Sequence, residues 1–171
     1  MKQLNIFDEC IPEKIPHKRG SVIWKLFVDG ASRKNPGIAG GGLYLLKNDE
    51  PFYQKGFFLG HKTNNQAEYL ALLLGIFIVK KSMDLHDSLY IVSDSELLIK
   101  HLKGEYKVKN PDLKKLFDLA FILLAGVHYS FCHVLREYNT QADQMANDGI
   151  DKRIKVPEEF IKILHAHHIS L

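Results

Sequence analysis

Cysteine is nearly missing from this chain of 171 residues: only Cys10 and Cys132 occur, far apart and without a CxxC pair. A disulfide framework and a Cys-rich zinc module are therefore excluded, and the expectation is two reduced thiols in a reducing compartment. No stretch reaches the ~18 consecutive apolar residues of a membrane span, so no membrane-spanning helix is expected. Met1-Lys2-Gln3-Leu4-Asn5 carries no apolar core of a signal peptide, which points to a cytoplasmic protein. Internal repeats and low-complexity tracts are absent. Neither sign of charge dominates: 23 Lys and Arg against 20 Asp and Glu leave a net charge of +3. Such a surface permits a polyanionic partner without demanding one.

What is present is the composition of an ordinary globular domain, 46% hydrophobic and 25% charged, long enough to bury a proper core. Punctuation by Pro and Gly divides the chain into an N-terminal extension (1–21), a central domain (22–150) and a C-terminal tail with a short helix (151–171). The central domain opens with an apolar run, Leu26-Phe27-Val28, which reads as a buried strand ending on Asp29 and stopping at Gly30. The Gly-rich stretch 33–42 reads as a loop. Gly42–Leu46 and Phe52–Leu59 are two further strands joined by the turn Asn48-Asp49-Glu50-Pro51, an antiparallel meander. A long helix follows from Thr63-Asn64-Asn65, apolar around most of its circumference and so largely buried. Then come a strand (Leu89–Ser93), a short helix (Glu96–Leu102), a longer helix (Asp112–Ala125), a strand (Val127–Val134) and a helix from Thr140. The order β-β-β-α-β-α-α-β-α implies an α/β fold, a five-stranded mixed sheet, three strands antiparallel and then parallel, with helices on both faces.

Four carboxylates stand at element ends: Asp29, Glu68, Asp94 and Asp143. Each also has a structural explanation. Asp29-Gly30 is a common turn pair; Glu68 could complete a capping box with Asn65, and Asp143 one with Thr140; Asp94 could cap the helix after it. Taken together they point elsewhere, because ligands of such sheets gather outside strand ends and beside helix N-termini. Four converging carboxylates would repel one another and raise each other's pKa. Bound divalent ions remove that penalty, and Mg²⁺ favours carboxylate oxygens, water and phosphate. The constellation suits two-metal hydrolysis of a phosphodiester.

The residues around these acids carry a resemblance. Val28-Asp29-Gly30-Ala31-Ser32 with Asn35-Pro36-Gly37, Thr63-Asn64-Asn65-Gln66-Ala67-Glu68-Tyr69, Ser93-Asp94-Ser95, and Arg136-Glu137-Tyr138-Asn139-Thr140-Gln141-Ala142-Asp143 resemble, in order, the four motifs of type 1 ribonuclease H. The resemblance implies a ribonuclease H-like fold and cleavage of the RNA strand of RNA–DNA hybrids. It implies two Mg²⁺ ions, with Mn²⁺ as an alternative, held by Asp29 (bridging both), Asp143 (at the attacking water), and Glu68 and Asp94 (at the leaving group). It also implies substrate contacts from Gly30, Ser32, Asn35, Asn64, Asn65, Gln66 and Arg136, reading a hybrid by its shape and 2′-hydroxyls. A catalytically silent nucleic-acid-binding module on the same fold is the alternative reading.

The chain departs from the better-known pattern in several places. The interval 103–111 is too short for the family's basic protrusion, which is the character of the compact, archaeal-like branch. Lys107 and Lys109 alternate with Tyr106 and Val108, so both would face one way along a DNA backbone if extended. No His lies between Arg136 and Thr140, where many members carry one, and His133 reads as structural. Glu96 stands where a Gln often contacts substrate. Gln3-Leu4-Asn5-Ile6-Phe7 resembles the peptide by which bacterial replication proteins dock on the sliding clamp. A monomer is expected.

Overall fold

The computed structural model describes residues 20–171. The clamp-like peptide Gln3–Phe7 and Cys10 lie outside them. One mixed sheet has the order β3-β2-β1-β4-β5, built from β1 (Ile23–Ser32), β2 (Gly37–Lys47), β3 (Glu50–Lys62), β4 (Ser88–Ser93) and β5 (His128–His133). The first three strands are antiparallel neighbours, and β4 and β5 run parallel to β1. The helices are α1 (Asn64–Lys80), α2 (Glu96–Leu102), α3 (Pro111–Leu123), α4 (Thr140–Lys152) and α5 (Glu158–Ala166), with a single 3₁₀ turn at Arg136–Tyr138. The expected element order is therefore found.

Alternation along β1 sorts the core onto two faces. Trp24, Leu26 and Val28 face α1 and belong to the larger core cluster. Phe27 faces the other way, with Val92, Cys132, Val134 and Ala142 of α4. Cys132 is buried in this second cluster, 1% exposed. The entry into β1 is fixed by Asp87, whose carboxylate accepts hydrogen bonds from Val22 N, Trp24 Nε1 and Asp84 N at 2.8, 2.9 and 3.0 Å. Burial raises its pKa, but those donors and Lys47 outweigh burial and hold it below the usual carboxylate range.

α1 is buried on nearly every side, from Ala67 to Ile76, because the sheet, α3 and α5 surround it. α5 is part of this core. Phe160 and Leu164 are fully buried, the Phe160 ring lies 5.5 Å from that of Phe77 on α1, and Phe58 N donates to Ile154 O at 2.7 Å just ahead of α5.

Two expectations about the Gly-rich stretch change. β1 does not stop at Asp29 but continues to Ser32, because β2 starts at Gly37 and pairs with it through Ser32↔Ala39. Gly40-Gly41-Gly42 is consequently a strand, and its lack of side chains serves packing. A Cβ on Gly42 would lie 1.9 Å from Ala142 O, and one on Gly56 1.7 Å from Met145 O, so the backbone of α4 rests directly on β2 and β3. At Gly41, on the opposite face, a Cβ would have more room, with the Ala71 and Leu59 side chains at 3.2 Å and the Ala71 Cα at 3.3 Å. The Gly42→Ala variant is therefore expected to lose at least about 3 kcal/mol of stability, against about 1 kcal/mol for Gly41→Ala, in urea denaturation. Equal losses would contradict the backbone contact.

Candidate active site

The sheet register sets the first two acids level. Phe27 pairs with Val92, so Asp29 and Asp94, each two residues further on, leave the parallel pair β1–β4 side by side. Right-handed crossovers bring helix starts to this end of the strands. Glu68 arrives on α1, one helical turn later than expected. It is the fifth residue of the helix, and no acid occupies the first turn. The capping box is made instead by Thr63 and Gln66: Thr63 Oγ1 accepts from Gln66 N at 3.2 Å and Gln66 Oε1 accepts from Thr63 N at 2.9 Å. Asp143 does lie in the first turn of α4, but the helix begins after Asn139 with no side-chain cap, so the box with Thr140 does not form. Ser95 rather than Asp94 caps α2 through Leu98 N. All four acids are thus released from capping.

Asp29, Glu68, Asp94 and Asp143 line one open cleft of about 420 Å³. Asp29 and Glu68 are each only 6% exposed. Glu68 Oε2 accepts from Gly30 N at 3.1 Å, which sets its carboxyl beside that of Asp29. Burial first, and then the charges of Asp94 and Asp143, push the Asp29 pKa up to about 8. Burial, followed by Asp29 and Asp94, likewise drives Glu68 well above the usual range. Among the described residues no three acidic, His or Cys side chains close into a single-ion cage. The acids instead meet pairwise around an open space, as ions completed by water and substrate phosphate require. The donor set fits hard divalent cations: oxygen ligands only, with a mutual repulsion that a cation would offset.

Gly30, Ser32, Asn64 and Arg136 line the same cleft. Gly30 also has a packing role, since a Cβ there would fall 2.2 Å from Glu68 N. Arg136 Nη2 donates to Asp143 Oδ1 at 3.4 Å from a largely exposed position. Asn35, Asn65 and Gln66 are not in the cleft lining. Asn35 Oδ1 accepts from Asn64 N at 3.0 Å, and Gln66 is committed to its cap. Lys107 and Lys109 are exposed in the segment between α2 and α3. His133 ends β5, with Nε2 3.3 Å from the backbone oxygen of Asp94. Sequence reasoning missed Asn147, whose Nδ2 donates to Asp143 O at 3.1 Å in the cleft wall. It also missed the side chain of Asn139, which donates to Val28 O at 2.9 Å and to Asp94 Oδ1 at 2.6 Å. Asn139 stood inside the fourth motif, but nothing local to it announces contacts 111 and 45 residues away.

Comparison with known proteins agrees with this geometry. A family model described as reverse transcriptase-like matches residues 27–149. Ribonuclease HI of Halobacterium salinarum is 38% identical over 128 residues, 73% of this chain and 63% of the relative. The crystal structure of ribonuclease H1 from the same archaeon superposes with a TM-score of 0.72 at 36% identity, covering 76% of this chain and 98% of that one. The chain belongs to the type 1 ribonuclease H family. A bifunctional protein of Mycobacterium tuberculosis is 36% identical over 72% of the chain. Its solved N-terminal ribonuclease H domain gives a TM-score of 0.72 at 34% identity, covering 78% of this chain and 96% of that one. The chain spans 63% of the halobacterial relative's length and 34% of the mycobacterial one's. LC11 ribonuclease H1, solved in complex with an RNA/DNA hybrid, gives a TM-score of 0.70 at 31% identity over 77% of this chain and 98% of that one. In this family member α5 follows the matched residues.

The raised pKa of Asp29 has a consequence for stability. Its folded value of about 8 lies above the ordinary 3.8 of an aspartate, so the folded state holds its proton more tightly. Stability from this group is complete below about pH 4 and is lost as pH rises through about 8. Asp29→Asn, which cannot ionise, is expected to leave the melting temperature of the metal-free protein unchanged near pH 4. It should raise it by at least about 4 °C at pH 8, read by circular dichroism. A difference independent of pH would contradict the ionisation argument.

Proposed function

We propose that the chain is an endoribonuclease that hydrolyses the RNA strand of RNA–DNA hybrids with two divalent metal ions, Mg²⁺ or Mn²⁺. The observation that carries this reading is the convergence of four carboxylates on one cleft, two of them buried and held at raised pKa by their neighbours. A module that only bound nucleic acid would gain nothing from such repulsion, and a polyanionic substrate would be disfavoured by it without cations.

Asp29, central in the cluster, would be the ligand common to both ions. Glu68 and Asp94 would help to hold the ion that assists the leaving group, and Asp143 the ion that activates water. When bound, the ions lower the pKa of the nucleophilic water and stabilise the departing 3′ oxygen. The remaining groups bind and orient. Arg136 stands beside Asp143, where its planar guanidinium can hold a scissile phosphate. The side-chain amide of Asn64 faces the wall that Gly30 and Ser32 also line, where the 2′-hydroxyls would be read. Asn35 orders the start of α1 through Asn64 and so acts on that wall indirectly. Asn65 is exposed beside Asn64 and is available to the minor groove. Lys107 and Lys109 contact the DNA backbone, a weak substitute for a basic protrusion. We assign the enzyme to the cytoplasm as a monomer; no described helix is long and apolar enough to cross a membrane.

A labelled hybrid incubated with the purified chain and Mg²⁺ or Mn²⁺ tests this reading. Cleavage of the RNA strand should require metal and fall by at least about 10³-fold in Asp29→Asn or Asp143→Asn with the fold retained. Tight hybrid binding without metal-dependent cleavage would instead favour the silent binding module.

A further inference from the structure

Asn139 is a buried polar residue that the proposed chemistry does not use directly. It is 1% exposed and sits between the 3₁₀ turn and α4. Its side-chain amide donates both to Val28 O, immediately before Asp29, and to Asp94 Oδ1. Its backbone oxygen accepts from Asp143 N at 3.1 Å, and its own N–H donates to Arg136 O at 3.0 Å. One residue therefore ties together the strand bearing Asp29, the carboxylate of Asp94 and the first turn that presents Asp143.

Stability alone does not account for this residue. Its Oδ1 is buried and has no hydrogen-bond partner among the described residues, a loss an apolar side chain of similar size would not incur. What an apolar residue would not do is fix Asp94. A carboxylate projecting from the end of a strand turns about its side-chain bonds unless a partner holds it. The hydrogen bond from Asn139 Nδ2 holds one oxygen in place, at the short distance of 2.6 Å.

We infer that Asn139 is a positioning residue that pre-sets Asp94 as a metal ligand by anchoring its carboxylate to β1. The inference rests on the reading of the cleft as a divalent-metal site. Outer partners of ligating groups orient them, and their loss typically weakens metal binding by about 10–100-fold.

Calorimetric titration of the metal-stripped protein with MgCl₂ and MnCl₂, without nucleic acid, tests it. Asn139→Ala and Asn139→Leu should each weaken metal binding by about 10–100-fold while still unfolding cooperatively above the assay temperature. In hybrid cleavage the loss should be recovered at high metal concentration with KM for the hybrid unchanged. In an Asp94→Asn background, Asn139→Ala should cause no further loss, since the group it acts through is gone. Unchanged metal affinity in folded Asn139 variants, or an equal loss in both backgrounds, would overturn the inference. So would failure of both variants to fold, which would make Asn139 a structural residue. If Asp94→Asn alone leaves metal binding intact, it is the metal-site reading that fails.

Discussion

The backbone of α1 passes so close to β1 that a Cβ on Gly30 would fall 2.2 Å from the amide nitrogen of Glu68. That approach turns a helix buried on nearly all sides into the carrier of a carboxylate. It places Glu68 within reach of the Gly30 N–H and of Asp29, in a position almost sealed from water. Neither acid would stay ionised there without compensation, and their raised pKa values are the direct expression of that confinement. The core has to bear the cost. Trp24, Leu26 and Val28 of β1, with α1, α3 and α5 packed over them, provide the apolar burial that keeps the charged end assembled.

The opposite face repeats the device with different parts. Gly42 and Gly56 leave the sheet bare where α4 lies, and the helix backbone settles directly on the strands. This fixes the height of Asp143 above the sheet. Asn139, just ahead of α4, then links that helix start to β1 and to Asp94. The cleft is thus framed by two helices brought unusually close to the same sheet, one on each face, with the four acids between them. These close helix–strand contacts set where the four acids stand around the cleft.

The grip on substrate is less elaborate than the acid cluster. Arg33 and Arg136 are the basic residues of the cleft wall, and the segment between α2 and α3 is short. Its charges are the exposed Lys103, Lys107 and Lys109 with Glu105 among them. Because phosphate contacts dominate nucleic-acid affinity, a surface of this kind would hold a polyanion weakly and in a salt-sensitive way.

The sequence by itself determined the element order and the four acids, because strand alternation, helical periodicity and the motifs around Asp29, Glu68, Asp94 and Asp143 are local patterns. It misread what depends on partners distant in the chain. Thr63 and Gln66 form the cap that Asn65 and Glu68 seemed suited to, a choice settled by where the helix begins. The glycines of β2 looked like a loop because the helix that occupies their missing side chains lies a hundred residues later. α5 read as a tail, yet Phe160 and Leu164 complete the core against α1, whose apolar surface is too wide for the sheet alone to cover. Tertiary structure alone decided that Asn139 holds Asp94 and that Glu68 accepts from Gly30 N beside Asp29. Those contacts arise only when a parallel sheet register and two helix–strand approaches bring separate segments to one point.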